Sequence, residues 1–343
     1  MKKINLPKVI FGTSGLGNLY VALPEEVKCE IVAESVRCSK PAVFDSAGKY
    51  GAGLALESLG RSLTQLKVRP SDVLISNKLG WLRTPLKTAE PTFEPGVWRN
   101  LEYDAVQRIS YNGILACYEQ GNELLGDYKA ELVSVHDPDE YLAAAKDEQD
   151  GTERYHDILD AYRALNELKM EGKVKGIGVG SKDWRVIKRI SHDVKLDWVM
   201  IANSMTIHSH PRGLVEFMGE LEKKEVQIIN SAVFNGGFLT GSDYYNYRLT
   251  DPMKDKSLYR WRQLFYQLCA NYNIKPADAC VVFGLNAPGV KSIALSTTNA
   301  GRVAQNVAVG SLKIPAEFWK KMKEWGLIDA SYDFTYLSNQ IQS

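Results

Sequence analysis

Short apolar runs alternate with longer amphipathic segments from one end of the chain to the other. The short runs are rich in Val, Ile and Leu and show no alternation of apolar and polar residues, which is typical of strands buried on both faces of a parallel sheet. The pattern predicts eight such strands, at residues 9–12, 42–44, 73–76, 132–135, 176–179, 198–201, 227–229 and 290–294.

The longer segments repeat apolar residues at helical spacing and therefore predict helices between the strands. The first helix follows Pro24, a favourable residue at the start of a helix. Helices are predicted at 25–38, 53–66, 105–125, 152–171, 184–191, 211–223, 258–271, 276–286 and 299–309.

Strands that alternate with helices in this order form parallel βαβ units. Both an open doubly wound sheet and a closed eight-stranded barrel are built this way. The open sheet is disfavoured, because the glycines of 12–17 lack the GxGxxG spacing of its nucleotide-binding turn. The 343 residues also suffice for a barrel, which typically needs about 250. The sequence predicts a (β/α)₈ TIM barrel, and one domain over 1–343 because no linker divides the chain.

Two long connections, 79–100 after the third strand and 235–256 after the seventh, lie at the barrel face where substrates bind. Their aromatic residues suit a pocket wall or, equally, pack on the barrel rim: Trp81, Trp98, Tyr244, Tyr245 and Tyr247. A C-terminal extension, 315–343, contains an amphipathic piece at 317–325 and then a polar tail. The extension either caps the same face or packs beneath the barrel.

Charge and cysteine content narrow the classes of partner. The 42 basic and 41 acidic residues leave a net charge of +1, which gives no reason to expect nucleic acid or an anionic membrane as partner. Five scattered cysteines indicate reduced thiols. Pro7 and Lys8 break the N-terminal apolar run, and no stretch reaches membrane-spanning length. We expect a cytoplasmic protein, with its oligomeric state left open.

Polar residues follow three consecutive predicted strands. Asp45 and Tyr50 come after the second strand, Lys78 after the third and His136 after the fourth. Because parallel strands of a barrel end on one face, these four side chains are expected to converge there. His208 and His210 also lie close together, but no third ligand has suitable spacing, so no metal site is predicted.

The converging residue types suit proton transfer. A phenol has an ordinary pKa of about 10, and a neighbouring ammonium is expected to bring the pKa of Tyr50 down. Asp45 would hold the ammonium of Lys78 in place, and His136 would orient a substrate oxygen. A carbonyl that gains hydride needs a proton on its oxygen, and an alcohol that loses hydride must release one.

Several segments resemble motifs of the aldo-keto reductase family, in the order in which that family has them. The resemblance is carried by FDSAGKYG at 44–51, NKLG at 77–80, VHDPD at 135–139, KVKGIGVG at 173–180, AVFNGGFLTG at 232–241, and STTN at 296–299 with RVAQN at 302–306. Within the family, GTSGLGNLY at 12–20 together with the HDPD and VFN segments is most similar to aldose 1-dehydrogenases, such as those for L-fucose, D-threo-aldose and galactose. These oxidise the anomeric hydroxyl to a lactone.

The resemblance implies a role for each matching position. Tyr50, Asp45, Lys78 and His136 would form the catalytic tetrad. Contacts to the nicotinamide cofactor, NAD or NADP, are implied for Ser181, Asn203, Ser231, Phe234, Gly237, Leu239, Ser296, Thr297, Arg302, Gln305 and Asn306. Tyr20 and Trp81 would contact the substrate, a small sugar or aldehyde.

Four positions depart from the family pattern. The segment Gly180-Ser181-Lys182 stands where the family has Ser-Asn after the fifth strand, and the family's glutamine on the sixth strand is Ala202 with Asn203 beside it. Its nicotinamide-stacking tyrosine is replaced near Ser231, and the lysine of many NADP-using members is Ser296. Loss of that cation favours NAD over NADP, since a 2′-phosphate calls for basic partners, although Arg302 preserves some positive charge.

Two further functions remain open from the sequence. A Schiff-base aldolase with Lys78 as nucleophile would not need nicotinamide, and borohydride would trap its substrate on that lysine. A barrel that binds nucleotide as a sensor or partner subunit would take up the cofactor without turnover. The departures around the nicotinamide favour this second alternative over the first.

Overall fold

The computed structural model describes residues 4–332 and contains a closed barrel of eight parallel strands. Each strand pairs with the next along the chain, and the last closes on the first through Val9 opposite Ile293. The barrel strands β1 to β8 are Val9–Gly12, Ala42–Ala47, Val73–Leu79, Ala130–His136, Gly176–Ser181, Trp198–Ala202, Gln227–Ser231 and Val290–Ser296. Every predicted strand lies within an observed one, so the predicted barrel is confirmed.

Helices surround the barrel as predicted, with small changes of boundary. Helices α1 to α11 are Glu25–Cys38, Leu54–Gln65, Tyr111–Leu125, Pro138–Ala143, Glu148–Met170, Trp184–Asp193, Arg212–Lys223, Lys256–Asn271, Pro276–Leu285, Val303–Val309 and Ala316–Glu324. The short α4 has no counterpart in the prediction. The helix predicted at 299–309 is a 3₁₀ turn, Ala300–Arg302, followed by α10.

The helix predicted at 105–125 is wrong in its first part. Tyr103–Gln107 is a strand that pairs antiparallel with Trp81–Pro85 and forms a hairpin on the rim of the barrel. Helix α3 begins only at Tyr111, after the N-cap Ser110, whose hydroxyl accepts the backbone N–H of Gly113 at 3.1 Å. The cap satisfies one of the free N–H groups of the first turn and fixes where the helix starts.

An apolar layer closes the lower half of the barrel. It contains seven side chains from six of the eight strands: Ile10, Val43, Leu74, Leu132, Trp198, Met200 and Ile229. Trp198 is fully buried, and Gly178 on the neighbouring strand makes room for it, because a Cβ there would lie 2.3 Å from the indole ring. The predicted catalytic side chains lie above this layer, at the carboxyl ends of the strands.

The C-terminal extension packs on the outside of the barrel. The indole N–H of Trp261 in α8 donates to the Leu327 carbonyl at 3.0 Å, and the Asp329 N–H donates to Nε2 of His210 at 3.1 Å. No residue from 315–332 lines the cavity described below. The rest of the predicted polar tail, 333–343, lies outside the described residues.

Candidate active site

A cavity of about 510 Å³ opens at the carboxyl ends of the barrel strands. All four predicted catalytic residues line it, as do turns and loops that follow the strands. Its wall is divided by charge. The ionisable acid, base and imidazole side chains all come from the ends of β2 to β5 and the loops after them: Asp45, Lys49, Lys78, Glu94, His136, Asp137, Glu140 and Lys182. The described lining residues from β1 and from β6 to β8 carry no such group.

A buried ion pair lies at the base of the charged half. The Lys78 ammonium is 2.5 Å from Oδ2 of Asp45 and also donates to the Ser46 carbonyl at 3.1 Å. The Ser76 hydroxyl donates to Oδ1 of Asp45 at 3.3 Å. Burial alone would lower the pKa of Lys78, but Asp45 and Tyr50 raise that pKa above its ordinary value. Lys78 is therefore a cation held in place by hydrogen bonds.

Tyr50 sits on a tight turn after β2, against the turn that follows β1. Two glycines permit the contact: a Cβ at Gly17 would lie 2.8 Å from the Tyr50 carbonyl carbon, and Gly51, at φ +60°, would place one 2.3 Å from the Gly17 oxygen. The Tyr50 ring centre is 4.7 Å from the Lys78 ammonium. Tyr50 and Lys78, which the sequence predicts to converge on one face of the barrel, therefore lie together, and the phenol is beside a cation.

The acidity of Tyr50 differs from the expectation. Burial raises the pKa of Tyr50 to about 12, and Asp45 adds to the rise, whereas Lys78 acts in the opposite direction. The expected lowering by the ammonium is present but smaller than the effect of burial, which the sequence does not reveal. At neutral pH Tyr50 is a phenol that can donate a proton.

His136 completes the group as a neutral imidazole. Its ring meets that of Tyr50 edge-on, with 5.7 Å between the ring centres. Burial lowers the pKa of His136 well below its ordinary value, and the cations Lys78 and Lys49 lower it further. Nε2 lies 3.5 Å from Oδ2 of Asp137, while Nδ1 is buried without a hydrogen-bond partner among residues 4–332. A neutral ring with Nε2–H next to a carboxylate can donate to a substrate oxygen.

The residues implied to bind cofactor divide into three groups. The cavity is lined by Ser181, Ser231, Phe234, Gly237 and Ser296. Asn203 and Leu239 are buried but do not line it. Thr297, Arg302, Gln305 and Asn306 follow β8 outside the cavity, and Arg302 and Gln305 are exposed.

Glycines and serines line part of the uncharged half. Gly236 and Gly237 have φ of +73° and +92°, a backbone conformation that favours glycine, and a Cβ on Gly237 would lie 2.9 Å from Ser242. Beyond them the Ser14 and Ser296 hydroxyls lie 3.1 Å apart. Small residues and serine hydroxyls thus leave both room and hydrogen-bonding groups, which fits a polar cofactor.

The two residues implied to contact substrate have different places. Tyr20 lines the mouth of the cavity and stacks on Tyr244, with 6.5 Å between ring centres. Trp81 does not line the cavity, because its ring packs behind the wall against Phe93. Trp98 occupies the wall instead, 5.8 Å from the Tyr50 ring, and its indole N–H donates to Glu94 at 2.7 Å.

Five further charged residues of the wall had no predicted role. We call this group the charged wall: Lys49, Glu94, Asp137, Glu140 and Lys182. A signal for part of it exists in the sequence, since an acidic run, HDPDE at 136–140, directly follows a barrel strand. Burial would raise the pKa of Glu140, but Lys49 and Lys182 lower it to about 2.

Two absences concern the described part of the chain. Within residues 4–332 no three or more His, Cys, Asp or Glu side chains gather where they would hold a metal ion. His208 instead bonds through Nδ1 to the Tyr245 hydroxyl at 2.9 Å. The same residues include no helix of the length and hydrophobicity needed to cross a membrane.

Known proteins resemble this chain over most of its length. It is 28% identical to a D-threo-aldose 1-dehydrogenase from a Pseudomonas species, covering 94% of this chain and 95% of the relative. It is 27% identical to a pyridoxal 4-dehydrogenase from Microbacterium luteolum, covering 92% and 93%.

Solved structures share the fold at lower identity. An aldo-keto reductase from Bacillus halodurans, in its holo form, superposes with a TM-score of 0.68 at 19% identity, covering 98% of this chain and 99% of its own. A glycerol dehydrogenase from Gluconobacter oxydans gives 0.69 at 16% identity, covering 94% and 93%. The family model described as the aldo/keto reductase family matches residues 8–326. The chain belongs to the aldo/keto reductase family.

Proposed function

We propose that this protein is an NAD(P)-dependent oxidoreductase that transfers hydride between nicotinamide and the anomeric carbon of an aldose, oxidising the anomeric hydroxyl to a lactone. The observation that carries the proposal is the contact of the Tyr50 phenol with both the Lys78–Asp45 ion pair and the His136 imidazole inside one cavity. A proton donor, a group that stabilises its anion and a hydrogen-bond donor are the parts that hydride transfer at carbon leaves for the protein to supply.

Aldo-keto reductases use nicotinamide cofactors and act on small carbonyl substrates. The nicotinamide, when bound, supplies or accepts the hydride. Its place would be the uncharged half of the cavity, against Ser231, Phe234, Gly237 and Ser296, with Ser181 on the adjoining strand β5. Replacement of the family's lysine by Ser296 supports NAD over NADP.

Each catalytic side chain has one task. Tyr50 donates a proton to the substrate oxygen during reduction and takes one from it during oxidation. Lys78 stabilises the phenolate that results from donation, and Asp45 keeps the ammonium protonated and oriented. His136, uncharged, donates a hydrogen bond to the same substrate oxygen and so fixes its position.

The names of the relatives support two substrate types, an aldose and pyridoxal. We favour the aldose because the charged half of the cavity offers many acceptors to hydroxyl groups. The aldolase alternative is disfavoured: a Schiff base needs an unprotonated amine, whereas the pKa of Lys78 is raised by Asp45 and Tyr50 over the opposing effect of burial.

A nucleotide-binding barrel without turnover is the second candidate. It is favoured by Ala202 and Ser231 at positions where the family has a glutamine and a tyrosine near the nicotinamide. Such a protein would bind the cofactor and leave every sugar and aldehyde unchanged.

Nicotinamide absorbance separates the two candidates. Purified protein is mixed with NAD⁺ or NADP⁺ and a panel of aldoses that includes L-fucose, L-galactose and D-arabinose, and Tyr50→Phe is assayed beside it. We expect wild type to reduce the cofactor and the variant to lose about 10²- to 10⁴-fold of kcat, the usual contribution of a general acid–base group. Cofactor binding without turnover of any sugar, and without reduction of any aldehyde, would contradict the proposal.

A further inference from the structure

The charged wall joins the ends of four strands into one network. The Lys49 ammonium is 2.8 Å from Oε1 of Glu94, 2.9 Å from Oε2 of Glu140 and 3.4 Å from Oδ2 of Asp137. Lys182 pairs with the other oxygen of Glu140. Three carboxylates thus share two ammonium groups, so the network has one more carboxylate than ammonium groups.

Asp137 is the least satisfied member of this network. Its two polar side-chain contacts, to Lys49 and to Nε2 of His136, measure 3.4 and 3.5 Å. Charge-assisted hydrogen bonds are usually about 2.7–2.9 Å long. The residue is only 8% exposed, yet it lines the cavity beside the predicted catalytic histidine. A buried carboxylate without a close donor is a site where a ligand's donor gains most.

The backbone holds this carboxylate in place. Asp137 has φ 46° and ψ 52°, in the left-handed region that few residues other than glycine adopt. Its N–H donates to the Gly180 carbonyl at 3.0 Å, and its own carbonyl accepts the Glu140 N–H at 3.1 Å. Strained conformations fixed by their surroundings are concentrated at functional sites.

Two aromatic rings adjoin these acceptors. Trp98 is buried against the Tyr50 ring and donates its indole N–H to Glu94, and the Lys182 ammonium lies 5.6 Å from the centre of the Tyr247 ring. Both rings line the cavity beside the charged wall. A sugar ring has hydroxyls along its edge and C–H groups on its face, so it suits a site that combines carboxylates with aromatic rings.

We propose that Asp137, with Glu140 held by the two lysines, binds the hydroxyl groups of the aldose that do not react, and so selects neutral polyhydroxylated substrates. The excess of one carboxylate over the ammonium groups disfavours sugars that carry a phosphate or carboxylate. This inference rests on the proposed function, because the reacting carbon must lie beside Tyr50 for the other hydroxyls to reach the charged wall.

The test compares substrates that differ in remote hydroxyls. Wild type and Asp137→Asn are assayed with the best aldose, with its deoxy analogues, and with propanal in the reducing direction. Glu131→Gln is the matched control, since it also neutralises one carboxylate of an ion pair, outside the cavity. We expect Asp137→Asn to lower kcat/KM for the aldose about 10- to 100-fold, mostly through KM, the loss expected for a hydrogen bond to a charged group.

The pattern across substrates decides the outcome. The loss should vanish with the deoxy analogue that lacks the bound hydroxyl and should be absent with propanal, and uronic acids should be poor substrates of wild type. Equal losses with aldose, analogue and propanal, or no loss at all, would overturn the inference while leaving the proposed function intact. Absence of hydride transfer from wild type with every substrate would instead refute the proposed function. Asp137→Ser, which keeps a small acceptor, replaces Asp137→Asn if the latter does not fold.

Discussion

Replacing Lys78 by methionine should damage stability and chemistry by separable amounts. The substitution keeps a chain of similar length but leaves the carboxylate of Asp45, now buried without its 2.5 Å partner, at the base of the cavity. Breaking a buried ion pair by removing one partner costs about 3–5 kcal/mol of unfolding free energy. We expect a loss in this range in urea denaturation monitored by far-ultraviolet circular dichroism.

The chemical loss has a different origin. The ammonium lies 4.7 Å from the Tyr50 ring centre, and two unit charges at about that distance interact by roughly 3–4 kcal/mol at an effective dielectric constant of about 20. Stabilisation of the phenolate by that amount corresponds to about a hundred- to a thousand-fold in the phenolate population. Oxidation of an aldose by Lys78→Met should therefore fall by at least about a hundred-fold in kcat.

A double variant separates the two effects. Asp45→Asn combined with Lys78→Met removes the unpaired buried charge of the Asp45 carboxylate. The unfolding free energy should therefore return most of the way to the wild-type value, while activity stays low. The unfolding free energy and kcat are both measured on the same preparations of each variant. The reasoning is refuted if Lys78→Met is as stable as wild type, or if the double variant regains activity together with stability.

Three further predictions concern acidity, packing and cofactor choice. Because the pKa of Tyr50 is raised to about 12, its phenolate population rises with pH throughout the neutral range. The value of kcat/KM for oxidation should therefore increase about tenfold per pH unit between roughly pH 7 and 10, whereas kcat/KM for reduction should not increase. A flat pH profile for oxidation would contradict this. Gly178→Ala should lower the unfolding free energy measured in urea by at least about 1–3 kcal/mol, since its Cβ would meet the Trp198 ring at 2.3 Å. The control, Gly219→Ala in α7, has open space around it and should be neutral or stabilising. Ser296→Lys should shift the ratio of kcat/KM values toward NADP about tenfold, by adding a cation for the 2′-phosphate; an unchanged ratio would show that this position does not contact it.

The barrel was predictable because its signal is local. Each strand is a short apolar run, and several observed strands extend past their predicted ends into polar residues, as at Asp45 and His136. Asp45 is buried because Ser76 and Lys78 of the next strand bond to it, which a pattern of apolar residues does not show. The hairpin of Trp81–Pro85 with Tyr103–Gln107 was mistaken in part for a helix because it is defined by pairing between distant segments.

The candidate site was predictable to the same extent. The four residues at the strand ends were found because parallel strands must end on one face. The charged wall was not, since Lys49 meets Asp137 and Glu140 across 88 and 91 positions of the chain. The expected fall in the pKa of Tyr50 was wrong in sign because burial, a property of the folded chain, outweighs the ammonium.

The division of the cavity wall by charge connects these findings. Every acid, base and imidazole among the described lining residues comes from the ends of β2 to β5, and the half built from β1 and β6 to β8 offers only small, hydroxyl-bearing, apolar or aromatic residues. The proposed reaction, which moves a hydride and a proton to different atoms of one substrate, is compatible with this separation. The proton must come from groups whose charge the protein controls, whereas a planar ring that carries the hydride packs best on an uncharged surface. Under the proposed function, the same separation leaves the surplus carboxylates on the proton side, where they would face the hydroxyls of a sugar rather than the phosphates of a cofactor, which they would repel.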